Sequence, residues 1–242
     1  MEKPSNKLDC AILAGKVGAM VGRRKYDDGC AVAQALDVIG ERWALLVVRD
    51  LLLGPKRFTD LLAGLAGASS DVLTQRLREL TEAGVVRRRR LPPPASTWVY
   101  ELTPWGAELE DVILGLAGWV HQSPRMRYDL PLGTDSLMLS LKTLFDGDAA
   151  GDLHVKIALH LGDERFSIRV ADGDLTIARA ETESPDATLD TDPATLLSLL
   201  RANLALDEVL ATGQLRLAGD RASVELFTRL FPVPEQQITQ TS

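Results

Sequence analysis

Only two cysteines, Cys10 and Cys30, and three histidines occur in the chain. Two thiols give no disulfide framework, and Cys10 and Cys30 form no Cys/His cluster of metal-ligating spacing. His154 and His160 could share a strand face, but at about 3.3 Å per residue they lie about 20 Å apart, too far for one metal. His121 stands alone. No run reaches the roughly 18 uncharged apolar residues of a spanning helix. The Cys10 to Val21 stretch is short, is interrupted by Lys16 and has no clear cleavage pattern. The chain also lacks a nucleophile elbow and a phosphate-cradling glycine loop. No enzyme, cofactor, metal or membrane role is expected, and a cytoplasmic location is.

What is present is a charge asymmetry. The net charge is −7, yet residues 1–130 carry 18 basic and 16 acidic side chains while residues 131–242 carry 9 and 18. An acidic second half would be repelled by phosphate, so any nucleic-acid contact belongs to the first.

Within that first half, Gly54 to Thr103 organises the rest. Phe58 to Ala63 reads as a short helix, Gly64 to Ala68 as a turn, and Ser69 or Ser70 to Ala83 as a second helix. Leu73, Leu77 and Leu80 form its inward stripe and Gly84 stands at its C-terminal end. Its other face offers Ser69, Ser70, Asp71, Thr74, Gln75 and Arg78, groups that reach base edges and phosphates from a major groove. By itself this face could equally be solvated. Val85 and Val86 then open a strand that continues through Arg87, Arg88, Arg89 and Arg90. A proline-rich tip ending at Ser96 leads to the return strand Thr97 to Leu102. Successive arginines point to opposite faces, so Arg88 and Arg90 can meet a phosphate backbone together, with Arg57, Ser96 and Thr97 nearby. A polar-faced helix followed by a basic hairpin is a DNA-binding layout.

At these residues the sequence resembles the HxlR family of bacterial winged-helix regulators. The resemblance is carried by Cys30, by LDVIGERW from Leu36 to Trp43, by LLLGPKRF from Leu51 to Phe58, by Leu73 to Leu80 and by GVVR from Gly84 to Arg87. One departure is Ala31, where the family often has proline. The resemblance implies a homodimer on a palindromic operator in double-stranded DNA. It also implies that Cys30 is a candidate redox or electrophile sensor. A thiol at a helix N-terminus is acidified, though a small buried apolar role is the alternative.

Around that element, Cys30 to Ile39 reads as a helix with Val32, Leu36 and Ile39 inward. Glu41 to Leu53 reads as a buried spine built on Trp43, Leu46, Val47 and Leu51. Thr103 and Pro104 begin a helix to His121 with Leu109, Val112 or Ile113, Leu116 and Val120 on one side, for dimer contact or for intrachain packing. The expected organisation is an arm at 1–25, a winged helix-turn-helix domain at 26–123, a linker at 124–133, a second domain at 134–232 and a tail at 233–242.

The second domain alternates short strands with helices and reads as an antiparallel sheet with helices on one face, making the whole chain α+β. FSIRVADGDLTI, PDATLDTDPATLLSLL and GQLRLAGD resemble the sterol-carrier-protein-like fold. That resemblance implies an apolar tunnel and a small hydrophobic ligand, with Ile157, Leu159, Ile168, Val170, Leu196, Leu200 and Phe227 as lining candidates. The same side chains could instead fill a core. The acidic balance disfavours a highly anionic ligand. The reading is thus a repressor responsive to a hydrophobic ligand. A lipid-carrier or dimerisation module with a non-regulatory winged helix, or a redox regulator acting through Cys30, are its alternatives.

Overall fold

A computed structural model describes residues 25–128, 130–201 and 204–232. Cys10, nearly all of the expected arm and the expected tail lie outside the described residues. Helices α1 (Ala31–Ile39), α2 (Ala44–Leu51), α3 (Phe58–Gly64) and α4 (Ser70–Glu82) are followed by strands β1 (Val86–Arg90) and β2 (Trp98–Leu102), then by α5 (Pro104–Ala107) and α6 (Leu109–His121). Val47, Val48 and Leu51 of α2, Leu61 of α3, and Leu73, Leu77 and Leu80 of α4 close one core against Val85 and Val86. Gly84, at φ +77°, turns the chain from α4 into β1. Gly106 lies so close to the residue before β1 that a Cβ there would stand 2.0 Å from the Val85 carbonyl oxygen.

Three expectations about these helices change. Trp43 sits at φ +77° and ends the turn before α2 rather than lying within the helix, and Leu46 is exposed. Glu108 separates α5 from α6, and Ile113, not Val112, faces the core. Val32 and Leu36 are exposed by 66% and 41%, as are Val112, Leu116 and Trp119 on α6. Helix α1 is packed through Ala33, and its apolar stripe turns outward. Helical spacing defines a stripe but does not say what covers it.

Further along the chain come α7 (Thr134–Leu144), α8 (Gly147–Ala150), β3 (Val155–Leu161), β4 (Glu164–Ala171), β5 (Asp174–Ala178), β6 (Ala187–Thr191), α9 (Pro193–Leu200), α10 (Leu206–Ala211), β7 (Arg216–Gly219) and α11 (Arg221–Phe227). The sheet order is β5-β4-β3-β6-β7. Strands β3, β4 and β5 form an antiparallel meander with Ile157 opposite Ile168 and Leu159 opposite Phe166. The chain then crosses to the other edge, so β6 runs parallel to β3. The sheet is therefore mixed, not wholly antiparallel. One sheet face, with Ile157, Leu159, Phe166, Ile168, Val170 and Leu189, packs into a core with Leu137, Met138, Leu196, Val209, Val224 and Phe227. The other face carries Lys156, Arg169, Thr176 and Asp190.

The two cores interlock at α7. Leu139 belongs to the winged-helix core although its neighbours Leu137, Met138 and Leu141 belong to the sheet core. Leu53 crosses in the opposite direction. Lys56 pairs with Asp135, which also accepts from Arg179 at 2.5 Å. Lys142 donates to Glu110 of α6 at 2.5 Å. Among the described residues no helix is long and apolar enough to cross a membrane.

Candidate nucleic-acid interface

The site is built on α3, α4 and the β1–β2 hairpin. The Arg57 backbone N–H donates to Asp60, which sets the start of α3 and leaves the Arg57 side chain exposed. Ser69, not Ser70, caps α4, its hydroxyl accepting from the Val72 N–H at 3.3 Å. Leu73, Leu77 and Leu80 are buried. Ser70, Asp71, Thr74 and Arg78 are therefore turned outward and exposed.

The outward face is more tied down than its residue types suggest. Thr74 donates its hydroxyl to the Ser70 carbonyl at 2.8 Å. The Gln75 amide donates to Glu79 at 2.6 Å and accepts from Arg78 at 2.7 Å, so Gln75 is half-buried and positions Arg78. Glu79 itself is buried and paired with Arg76. Neither Arg76 nor Glu79 was recognisable from spacing, because both lie beside the leucine stripe and only a pairing in space explains their burial. Val72, 38% exposed on the same helix, was also missed. It is an apolar group suited to a thymine methyl, and its signal is an apolar side chain out of phase with Leu73, Leu77 and Leu80.

In the hairpin Arg87 stands opposite Glu101, Arg88 opposite Tyr100, Arg89 opposite Val99 and Arg90 opposite Trp98. Arg87 and Arg89 both donate to Glu101, at 2.7 and 2.5 Å. Burial pushes the Glu101 carboxyl up, but the hydrogen bonds from Arg89 and Arg87 outweigh it and hold its pKa below the usual carboxylate value. Arg88 lies on the other face, its guanidinium 4.6 Å over the Trp98 ring and 5.9 Å from the Tyr100 ring. Arg90 donates to the Ser96 carbonyl at 3.2 Å, which places Ser96 and Thr97 beside it at the tip. The run of four arginines thus divides into two that hold the strand pair together and two that present charge outward. The backbone of Lys56 bridges Tyr100 in both directions, at 2.9 and 2.8 Å, anchoring the segment before Arg57 to the hairpin.

Cys30 is exposed, which removes the buried-apolar alternative. The backbone N–H groups of Ala33 and Val32 in the first turn of α1 lower its thiol pKa. Of the expected ligand-lining side chains, Ile157, Leu159, Ile168, Val170, Leu196 and Phe227 are packed into the sheet core at 1% exposure or less. Leu200 alone of the seven reaches the cavity of about 410 Å³ that lies at the meeting of the two halves.

Residues 38–127 match the HxlR-like helix-turn-helix family, and residues 127–237 match the alkyl sulfatase C-terminal family. For the second half, that match stands where the sequence suggested a sterol-carrier-like fold. The reduced form of the transcriptional regulator YodB from Bacillus subtilis is 32% identical, covering 39% of this chain and 93% of that one, with a TM-score of 0.36. A double mutant of the sec-alkyl sulfatase PisA1 is 21% identical with a TM-score of 0.39, and this chain spans 16% of its length. The uncharacterised HTH-type transcriptional regulator YvaP of Bacillus subtilis is 36% identical over 89 residues, 37% of this chain and 82% of that protein. With the arrangement of α3, α4 and the basic hairpin, that likeness over most of a regulator's length places the conclusion beyond resemblance: the chain belongs to the HxlR-like helix-turn-helix family.

Proposed function

We propose that this protein is a DNA-binding transcriptional regulator that works in the cytoplasm as a homodimeric repressor on a palindromic operator, with its C-terminal half as a ligand-sensing module. The observation that carries the reading is the outward presentation of Arg88 and Arg90 on the hairpin and of Arg78 on α4. In this reading Arg78 and Val72 meet base edges, Gln75 holds Arg78 in place, and Arg57, Arg88 and Arg90 hold phosphates with Ser69, Ser70, Asp71, Thr74, Ser96 and Thr97 around them. The exposed apolar side chains Val32 and Leu36 on α1, and Val112, Leu116 and Trp119 on α6, support pairing of two copies. A two-fold pair would set half-sites about 34 Å apart.

The test is selection of bound sequences from a random duplex pool with the full chain, followed by fluorescence anisotropy on the enriched sequence. A palindrome bound at least a thousandfold more tightly than scrambled duplex is expected. Absence of enrichment would leave the winged helix as a non-regulatory module beside a carrier domain.

A second reading rests on the exposure and lowered pKa of Cys30, which suit a thiolate sensor of oxidants or electrophiles. Under that reading diamide releases the protein from its operator and Cys30→Ser prevents the release. Release of the serine variant by diamide would remove Cys30 from the mechanism.

A further inference from the structure

The cavity between the halves has two chemically distinct parts. Leu137, Leu141 and Leu144 of α7, Leu197 and Leu200 of α9, and Phe231 give it an apolar wall. Arg49, Arg125, Arg127 and Arg201 also line it, and among the described residues none of the lining side chains is a carboxylate. Arg49 is partly neutralised by Asp50, 2.7 Å away. Arg201 is oriented by neutral groups: it donates to the Tyr128 carbonyl at 3.1 Å and its guanidinium lies 5.3 Å from the Tyr128 ring. The Tyr128 hydroxyl is in turn 3.1 Å from Nδ1 of His121. Burial, and then the Arg201 charge, lower the pKa of His121, so this side of the cavity keeps the guanidinium as its charge near neutral pH. Arg125 is exposed at the mouth.

We propose that this cavity binds a single-chain amphiphilic anion, an alkyl chain bearing one carboxylate, sulfate or phosphate-type head. The chain lies along the α7 and α9 leucines and the head is received by Arg201 and Arg125. A guanidinium already held in a partly apolar wall gives a charge-assisted bond to an oxyanion without new ordering, and about 410 Å³ falls within the range of small-molecule pockets. The overall acidic balance of this half argued against an anion, but Arg201 and Arg125 bring guanidiniums to the described lining. Occupancy would touch α2 through Arg49, α6 through Val120 and His121, and α7, so the ligand would bear directly on elements of the winged-helix core. The inference rests on the sensing role proposed for the C-terminal half and gives that role a site and a ligand class.

Calorimetric titration of the full chain with decanoate, 1-decanol and butyrate tests it. Decanoate is expected to bind in the micromolar range, 1-decanol at least tenfold more weakly, and butyrate not measurably. Affinity should rise about fourfold for each methylene added to a shorter carboxylate until the cavity is filled. Arg125→Gln and Arg201→Gln should each weaken decanoate about tenfold and leave 1-decanol unchanged. Because Arg201 also holds Tyr128, Ser140→Phe, which narrows the cavity from α7 without touching an arginine, serves as an independent variant and should abolish binding of both. Equal affinity for decanoate and 1-decanol, no binding at millimolar decanoate, or indifference to both arginine variants would overturn the proposal. DNA binding by the ligand-free protein separates the two levels: operator affinity without decanoate binding refutes this site alone, and decanoate binding without operator affinity refutes the regulator reading alone.

Discussion

The division of the four hairpin arginines predicts an alternating phenotype. Arg88 and Arg90 project away from Glu101, so under the proposed function replacing both by alanine would remove two phosphate contacts per protomer and four per dimer. Each neutralised phosphate contributes about 0.9 to the slope of log affinity against log salt, so the slope should become shallower by about 3.6 units. Between 50 and 200 mM salt this lessens the loss of affinity by about a hundredfold. Arg87→Ala with Arg89→Ala should barely move the slope. It instead leaves the buried Glu101 carboxylate without its partners. With those guanidiniums 61% and 41% exposed, solvent screening keeps the cost near the low end, about 1 kcal/mol of stability. The assay is fluorescence anisotropy on an operator duplex at five salt concentrations, with urea unfolding of each variant. A slope that changes equally for the 87/89 and 88/90 pairs would refute the assignment of roles by strand face.

Leu139→Ala should destabilise the protein by about 2–4 kcal/mol and do so in one urea transition, because the residue closes the core of the other half; two separate transitions would show independent cores. Leu116→Glu, at a position 48% exposed in one copy, should yield monomers by light scattering without loss of melting temperature, and weaker operator binding. Asp192 caps α9 by accepting from the Ala194 and Thr195 N–H groups and the Thr195 hydroxyl, so Asp192→Ala should cost about 1 kcal/mol. The Thr195 hydroxyl bond is the main cause of its depressed pKa. The cap's contribution is therefore complete above the ordinary carboxylate value of about 3.9 and is lost as pH falls through the lower folded value. Stability curves of wild type and variant that stayed parallel below pH 4 would contradict this.

Helix α4 was legible in the sequence because both of its ends are chemically marked and its leucines recur in phase. The hairpin was legible because an arginine run and an alternating aromatic run flank prolines. The pairing of Arg87 and Arg89 with Glu101 was not, since it depends on the register of a hairpin whose partners lie 14 and 12 positions apart in the chain. Helix α1 shows the limit of periodicity: Val32 and Leu36 have the spacing of a buried stripe, and a stripe left exposed has the same pattern. The parallel β3–β6 pair was missed because a crossover leaves no local mark. The junction cavity was invisible for a related reason. Its arginines come from α2, the connecting segment and the end of α9, and an overall acidic count hid their convergence.

Helix α7 is shared, and protein synthesis runs from the N-terminus, so the order in which side chains become available has a consequence for the cell. A chain that ends at the connecting segment carries every residue proposed to face DNA, but it lacks Leu139, which fills its core, and Asp135, the partner of Lys56. Such a fragment is expected to melt well below the intact protein. Under the proposed function, truncated or clipped copies would then be degraded rather than occupy operators without responding to a ligand, and damage to the C-terminal half would give loss of regulation instead of permanent repression.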